Sequence, residues 1–240
     1  MNIHDFWFKG TDIAADIREK YGFDGALLSI FAQNQGPVVH KWHHYIPIYE
    51  RYFGRFRNGP VRFLEIGVSK GGSLQMWRRY LGPEAILFGI DIDPACAAFD
   101  GQSGQVRIGS QADASFLNRV VDEMGGVDVV LDDGSHVMGH IRASLAALFP
   151  RLSVGGIYMI EDLHTAYLPG YGGGARPGAG RNLLHELAPI IDDMHRWYHS
   201  LPEQVPALGG MVAGLHVHDS IVVLEKEQVY RPVHSKVGSA

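Results

Sequence analysis

The chain has 240 residues, 46% hydrophobic and 20% charged, which suits one large globular α/β domain or such a domain with an added segment. A net charge of −5 without any run of lysine or arginine argues against a nucleic-acid surface, and no apolar run approaches the ~20 residues that a membrane span needs. Cys96 is the only cysteine, so no internal disulfide can form, which fits a cytoplasmic protein; the first ten residues also lack the basic-then-apolar pattern of a signal peptide.

In chain order, residues 1–60 read as an N-terminal helical extension and 61–240 as the main domain. Thr11-Asp12 caps a helix through Ile13, Ala14, Ile17 and Tyr21, stopped at Gly22. Residues 22–39 show no clear period. His40-Lys-Trp-His-His-Tyr45 then leads into a helix with Tyr45, Ile48, Tyr49, Tyr52, Phe53 and Phe56 on one buried face. The spacing of His40, His43 and His44 matches no zinc pattern, and these imidazoles suit either a helix start near a substrate mouth or plain packing.

Asn58-Gly59-Pro60 breaks that helix, and Val61 to Ile66 is the first strand. It runs into Gly67-Val-Ser-Lys-Gly71-Gly72-Ser73 and a helix from Leu74 to Leu81. Such a strand, glycine turn and helix start form a cofactor cradle, because backbone can approach a ligand where side chains are absent. The second strand, Ala85 to Ile90, ends in Asp91-Ile-Asp93-Pro94. An acid at this point is placed to hold ribose hydroxyls by charge-assisted bonds, while Asp93-Pro94 starts a helix. Gln105 to Ile108 is a third strand, followed by Ser110, Gln111 and Asp113, which either meet an adenine edge or cap the helix from Ala114 to Met124.

The most informative stretch is Val127 to His136, V-D-V-V-L-D-D-G-S-H. Its apolar run suits a strand buried on both faces, with Asp132 and Asp133 at the carboxyl end where open α/β sheets bind ligands. A crossover helix over Val137 to Leu152 leads to Gly156–Ile160, which ends in Glu161-Asp162-Leu163-His164. If the two strands are neighbours, four carboxylates and two imidazoles converge, and a hard divalent cation is the simplest remedy for the repulsion. Beyond them, the glycine-rich segment 165–181 reads as a mobile lid or substrate loop. Asn182 to Tyr198 has helical spacing, and Leu215–His218 with Ser220–Glu225 reads as a closing β-hairpin.

The motifs E-I-G-V-S-K-G-G-S, G-I-D-I-D-P, D-D-G-S-H and I-E-D-L-H-T, in this order, resemble those of metal-dependent class I S-adenosylmethionine O-methyltransferases of natural-product biosynthesis. Sugar O-methyltransferases of the mycinamicin type are nearest, and the likeness covers roughly Lys41 to Tyr171. Those enzymes carry a large N-terminal region that this chain is expected to lack. The resemblance implies a Rossmann-like α/β fold: a mainly parallel seven-stranded sheet with a C-terminal antiparallel hairpin and an N-terminal helical extension. It further implies that Asp133, Glu161 and Asp162 bind Mg²⁺, that His136 is the general base, and that Glu65, Gly67 and Asp91 hold S-adenosylmethionine with Ser110 and Gln111 near the adenine. Ser69, Gly71, Ser73 and Asp132 complete the expected cofactor set. The expected partner is a glycosylated natural-product acceptor, with no nucleic acid and no membrane; a homo-oligomer stays open.

Methyl transfer needs two aligned reactants and a deprotonated hydroxyl, and an imidazole beside a metal suits that task. His164 rivals His136 as the base, and spacing alone does not choose between them. Three other readings compete. They are an Fe(II) oxygenase using His136 or His164 with two carboxylates, a nicotinamide oxidoreductase weakened by Ser69 at the second glycine position, and a non-catalytic partner protein with this fold.

Overall fold

The computed structural model describes residues 6–174, 182–201 and 205–238. Seven strands form one sheet: β1 (Arg62–Ile66), β2 (Ile86–Asp91), β3 (Gln105–Ile108), β4 (Val127–Asp132), β5 (Leu152–Ile160), β6 (Val212–His218) and β7 (Ile221–Lys226). Their order is β3-β2-β1-β4-β5-β7-β6. The first five run parallel, and β7 joins β5 antiparallel with β6 outside it. This is the mainly parallel sheet with a terminal hairpin that the sequence led us to expect. The order reverses between β1 and β4, so the crevice at their carboxyl ends is the switch point where such sheets take ligands.

The helices α1 (Ile13–Tyr21), α2 (Ala26–Ala32), α3 (Tyr45–Phe53), α4 (Gly72–Leu81), α5 (Ala114–Met124), α6 (Met138–Leu148) and α7 (Leu187–Met194) cover both faces. Strand residues alternate between them. Leu64, Ile66, Val130 and Ile160 pack with α5, α6 and α7, whereas Phe63, Val129, Leu131 and Met159 pack with α1 to α4. Residues 6–60 therefore supply α1 to α3 of one of the two helical layers and share its core with the sheet and α4. Asp12 caps α1 by accepting from the Ala15 amide at 2.8 Å, and Gly22 ends it in a left-handed conformation.

Several elements differ from expectation: within residues 182–198 only α7 is α-helical, flanked by 3-10 turns, and β6 begins at Val212, not Leu215. Residues 22–39 contain α2, which shows no amphipathic period because ALLSIFA is apolar almost throughout and Gly25 offers no side-chain cap. The crossover helix ends at Leu148, not Leu152: Pro150 lies in a 3-10 turn, and β5 begins at Leu152, earlier than Gly156. In the glycine-rich segment, residues 165–174 hold 3-10 turns, and the remainder, 175–181, lies outside the described residues. Among the described residues no helix is long and apolar enough to cross a membrane.

The N-terminal helices meet the sheet at Trp77 of α4, which is fully buried, with Tyr49, Phe53 and Phe63 at ring-centroid distances of 5.2–5.5 Å. Trp77→Ala should cost about 3–5 kcal/mol in urea unfolding; a loss below about 1 kcal/mol would show that this cluster does not join the N-terminal layer to the sheet.

Candidate active site

The glycine turn after β1 is ordered by the acid at the end of β2. Asp91 Oδ2 accepts from the Val68 and Ser69 amides at 2.9 Å each, and Oδ1 accepts from the Asp93 amide at 2.9 Å. Burial raises the Asp91 carboxyl pKa, but these backbone donors outweigh it and hold the group below its ordinary value. A carboxylate has about four lone-pair sites, so Asp91 keeps acceptor capacity toward the cavity that it lines. Gly67 has φ +100°, and a Cβ there would run into the Asp133 carbonyl. Glycine is therefore required where the β1 turn crosses the end of β4.

A cavity of about 430 Å³ opens at this switch point, within the range of small-molecule sites of roughly 300–1,000 Å³. Gly67, Ser69, Ser73, Asp91, Ser110 and Gln111 line one part of it, and Asp133, His136 and Asp162 line another. At the acidic end, ligand atoms of Asp133, His136 and Asp162 all lie within 4.8 Å of one another. His136 Nε2 stands 3.9 Å from Asp133 Oδ1 and 3.7 Å from Asp162 Oδ2. His136 and Asp162 both have positive φ, 56° and 55°, a conformation costly for residues with a Cβ and concentrated at functional sites. Thr165 Oγ1 helps hold it, donating to the Asp162 carbonyl at 2.7 Å with the His136 carbonyl at 3.3 Å as the longer, shared acceptor.

The N-terminal layer supplies the partners of these acids. The ammonium of Lys41, 3% exposed, donates to Asp133 Oδ2 at 2.5 Å and to both oxygens of Glu161, at 3.1 and 2.9 Å. Asp162 Oδ1 accepts from Trp42 Nε1 at 3.2 Å and from the Tyr45 hydroxyl at 2.7 Å. Burial disfavours the Lys41 charge, but the carboxylates of Asp133 and Glu161 outweigh it, so the group stays protonated. Lys41 escapes a reading by spacing because its partners lie 92 and 120 residues away. The only local signal is a lysine next to the apolar face of α3.

Four of the residues singled out from sequence stand behind the cavity wall. Asp132 is buried and accepts from Ser144, Tyr158 and Gln111 at 2.5, 2.9 and 3.0 Å, so it braces β4 against α6. Glu65 accepts from Ser73 Oγ at 2.9 Å and Trp77 Nε1 at 3.1 Å. Glu161 faces Lys41, and Gly71 packs against Phe99. The alternatives at 110–113 divide: Asp113 caps α5 by accepting from the Phe116 amide at 3.1 Å, while Ser110 and Gln111 reach the cavity. His164 does not line the cavity; its Nδ1 lies 2.8 Å from Ser220 Oγ.

Sheet order, glycine turn and acidic strand ends together define a class I, Rossmann-like methyltransferase fold. Residues 64–163 match the family described as a methyltransferase domain and are a domain of that family, in a chain homologous to sugar O-methyltransferases. It is 44% identical over 238 residues to the 8-demethyl-8-(2-methoxy-alpha-L-rhamnosyl)-tetracenomycin-C 3'-O-methyltransferase of Streptomyces olivaceus, covering 94% of this chain and 60% of that protein. To the mycinamicin VI 2''-O-methyltransferase of Micromonospora griseorubida it is 39% identical, over 77% of this chain and 48% of the relative. The solved structure of MycE methyltransferase from the mycinamycin pathway, in complex with Mg, SAH and mycinamycin VI, superposes with a TM-score of 0.72 at 34% identity, covering 92% of this chain and 54% of that one. The chain spans 48–62% of the length of the curated relatives it matches.

Glu65 provides a pH test of this buried polar layer. Burial pushes its carboxyl up to about 7 against the lowering pull of Lys41, from an ordinary value of 4.5. The folded state thus binds the proton more tightly than the unfolded state. The resulting stability is present below about pH 4.5 and is lost as pH rises through about 7. In metal-free protein, the stability of Glu65→Gln relative to wild type should rise by about 2–4 kcal/mol between about pH 4.5 and about pH 8. A pH-independent difference in urea unfolding would remove Glu65 as a titrating group.

Proposed function

We propose that this chain catalyses Mg²⁺-dependent transfer of a methyl group from S-adenosylmethionine to a hydroxyl, on a sugar of a secondary metabolite such as a macrolide or other polyketide. The observation that carries this reading is the single cavity in which the Gly67–Asp91 cradle adjoins Asp133, His136 and Asp162. The named activities of the tetracenomycin and mycinamicin relatives support the substrate class. They leave the iron-oxygenase, nicotinamide and partner-protein readings without support.

The residues present fit both groups. Gly67, Ser69, Asp91, Ser110 and Gln111 would hold the nucleoside cofactor, with Ser73 beside them and Glu65, Gly71 and Asp132 shaping the wall from behind. Asp133, Glu161 and Asp162 would hold Mg²⁺, an all-oxygen set suited to a hard cation; the Lys41 ammonium against Asp133 and Glu161 supports a demand for positive charge there. When bound, S-adenosylmethionine supplies an electrophilic methyl group and Mg²⁺ supplies the Lewis acidity that makes a sugar hydroxyl more acidic.

The chain's own residues do the rest. The cavity wall orients the two reactants for in-line displacement, and exclusion of bulk water protects that alignment. His136 Nε2 takes the proton of the acceptor hydroxyl, and Asp133 and Asp162, both within 4 Å of that nitrogen, stabilise the imidazolium that results. His164 is the weaker candidate, because it does not line the cavity and its ring is held at Nδ1 by Ser220 in the turn between β6 and β7. Residues 61–240 are read as the methyltransferase domain, and residues 1–60 as the extension that supplies Lys41, Trp42 and Tyr45.

Incubation with methyl-labelled S-adenosylmethionine and a panel of glycosylated polyketides should yield a product carrying one added labelled methyl group by mass spectrometry. Absence of methylation across rhamnosylated and deoxyhexosylated acceptors would count against the sugar assignment. Turnover should vanish in EDTA and return with Mg²⁺; undiminished activity in metal-free buffer would reduce the three acids to structural groups. His136→Ala should lower turnover by about 10²–10⁴-fold while S-adenosylhomocysteine binding by calorimetry persists. If His164→Ala proves the more damaging change, the two imidazoles exchange roles.

A further inference from the structure

Lys41 is a buried charged group that the proposed chemistry does not use. An ammonium has three donors, and here they meet Asp133 Oδ2 and both oxygens of Glu161. Glu161 is 1% exposed, so its carboxylate lies against the ammonium and not on the cavity surface. The residues that the structure gathers with ligand spacing are accordingly Asp133, His136 and Asp162, without Glu161. A divalent cation held by Asp133 and Glu161 would have to share both carboxylates with a positive charge already in contact with them. Like charges at such range in a buried site repel strongly.

We propose that Lys41 is the resident counter-cation of the metal-free site, and that Mg²⁺ binding exchanges for its ammonium on Glu161 and Asp133. This rests on the reading that those acids hold Mg²⁺. The side chain has the means to move. Lys41 is the last of four consecutive cavity-lining residues, Val38 to Lys41. A flexible four-carbon stem can carry the charge from the acids toward the cavity. The exchange would keep Asp133 and Glu161 paired with a cation in both states, so the metal-free protein folds without burying an uncompensated pair of carboxylates.

Calorimetric titration of Mg²⁺ into metal-free wild type, Lys41→Met and Lys41→Arg tests the coupling. Lys41→Met should bind Mg²⁺ at least tenfold more tightly than wild type, and Lys41→Arg should stay within about threefold of it. Equal or weaker binding by Lys41→Met overturns the proposal, whereas a wild type that takes up no Mg²⁺ sinks the metal reading itself and the proposal with it. Removing a positive charge would tighten binding even if the wild-type ammonium never moved, so a second measurement follows the ammonium directly. In ¹⁵N-lysine-labelled protein the two buried ammoniums, Lys41 and Lys226, should each give a protected side-chain NMR signal in EDTA. The Lys41 signal, identified by its loss in Lys41→Arg, should be abolished by saturating Mg²⁺ or moved to the solvent-exchanging position, while that of Lys226, held by three carbonyls, stays. A protected Lys41 signal unchanged by Mg²⁺ overturns the exchange even if Lys41→Met binds more tightly. This result also decides the matter should Lys41→Met fail to fold.

Discussion

A buried carboxylate and a half-buried one at the ends of adjacent parallel strands cannot both be ionised without a cation, and the cation that answers them here comes from the N-terminal layer. β4 and β5 are in register at Asp132 and Ile160, so the next residues of each, Asp133 and Glu161, fall within reach of one ammonium. Lys41 reaches both. Leaving the buried Lys41 or Glu161 charge without its partner would cost about 3–5 kcal/mol. The N-terminal helical layer is therefore bound to the sheet by charge at the site as well as by the aromatic core around Trp77.

This coupling extends to the geometry of the cavity. The segment that carries Lys41 also carries Trp42 and Tyr45, whose indole and hydroxyl fix Asp162. Asp162 sits in a left-handed conformation, as does His136, and Thr165 bonds the carbonyls of both. Backbone strain of this kind persists only where surrounding contacts over-determine it. Here those contacts come from α3, from the residues before it and from the turn after β5. A methyl transfer that depends on alignment would draw on that rigidity.

Much of the arrangement was legible in the sequence for specific physical reasons. β3 and α5 begin and end where their patterns predict, because Asp113 offers a cap and Gly125 a left-handed stop. The acidic endings after β4 and β5 stand out because charge follows abruptly on apolar runs. Helix α2 was invisible because an almost wholly apolar helix has no period, and the end of α6 was displaced because Pro150 acts after a strongly helical run. Lys41 was beyond reach for a deeper reason. Nothing local marks a lysine as the partner of acids more than ninety residues away, and only the tertiary fold brings them together.

Strand alternation explains why neighbouring acids in one motif take different work. Successive side chains of a strand point to opposite faces. Ile66, Val130 and Ile160 face the layer of α5 to α7, and Asp132 follows their parity, to be bound by Ser144 of α6 and by Tyr158. Asp133 is one residue further and turns to the other face. So does Glu161 after Ile160, and Glu65 between Leu64 and Ile66 meets Trp77 on that same side. Three acids from three adjacent strands thus collect beneath the N-terminal layer, and each of them acts electrostatically on Lys41. In D-D-G-S-H the first carboxylate is consumed by structure because of the face it occupies, and the second is left for chemistry. A residue more or less in β4 would exchange those roles, so the register of the strand, and not the identity of the residues alone, makes Asp133 the acid that looks into the cavity.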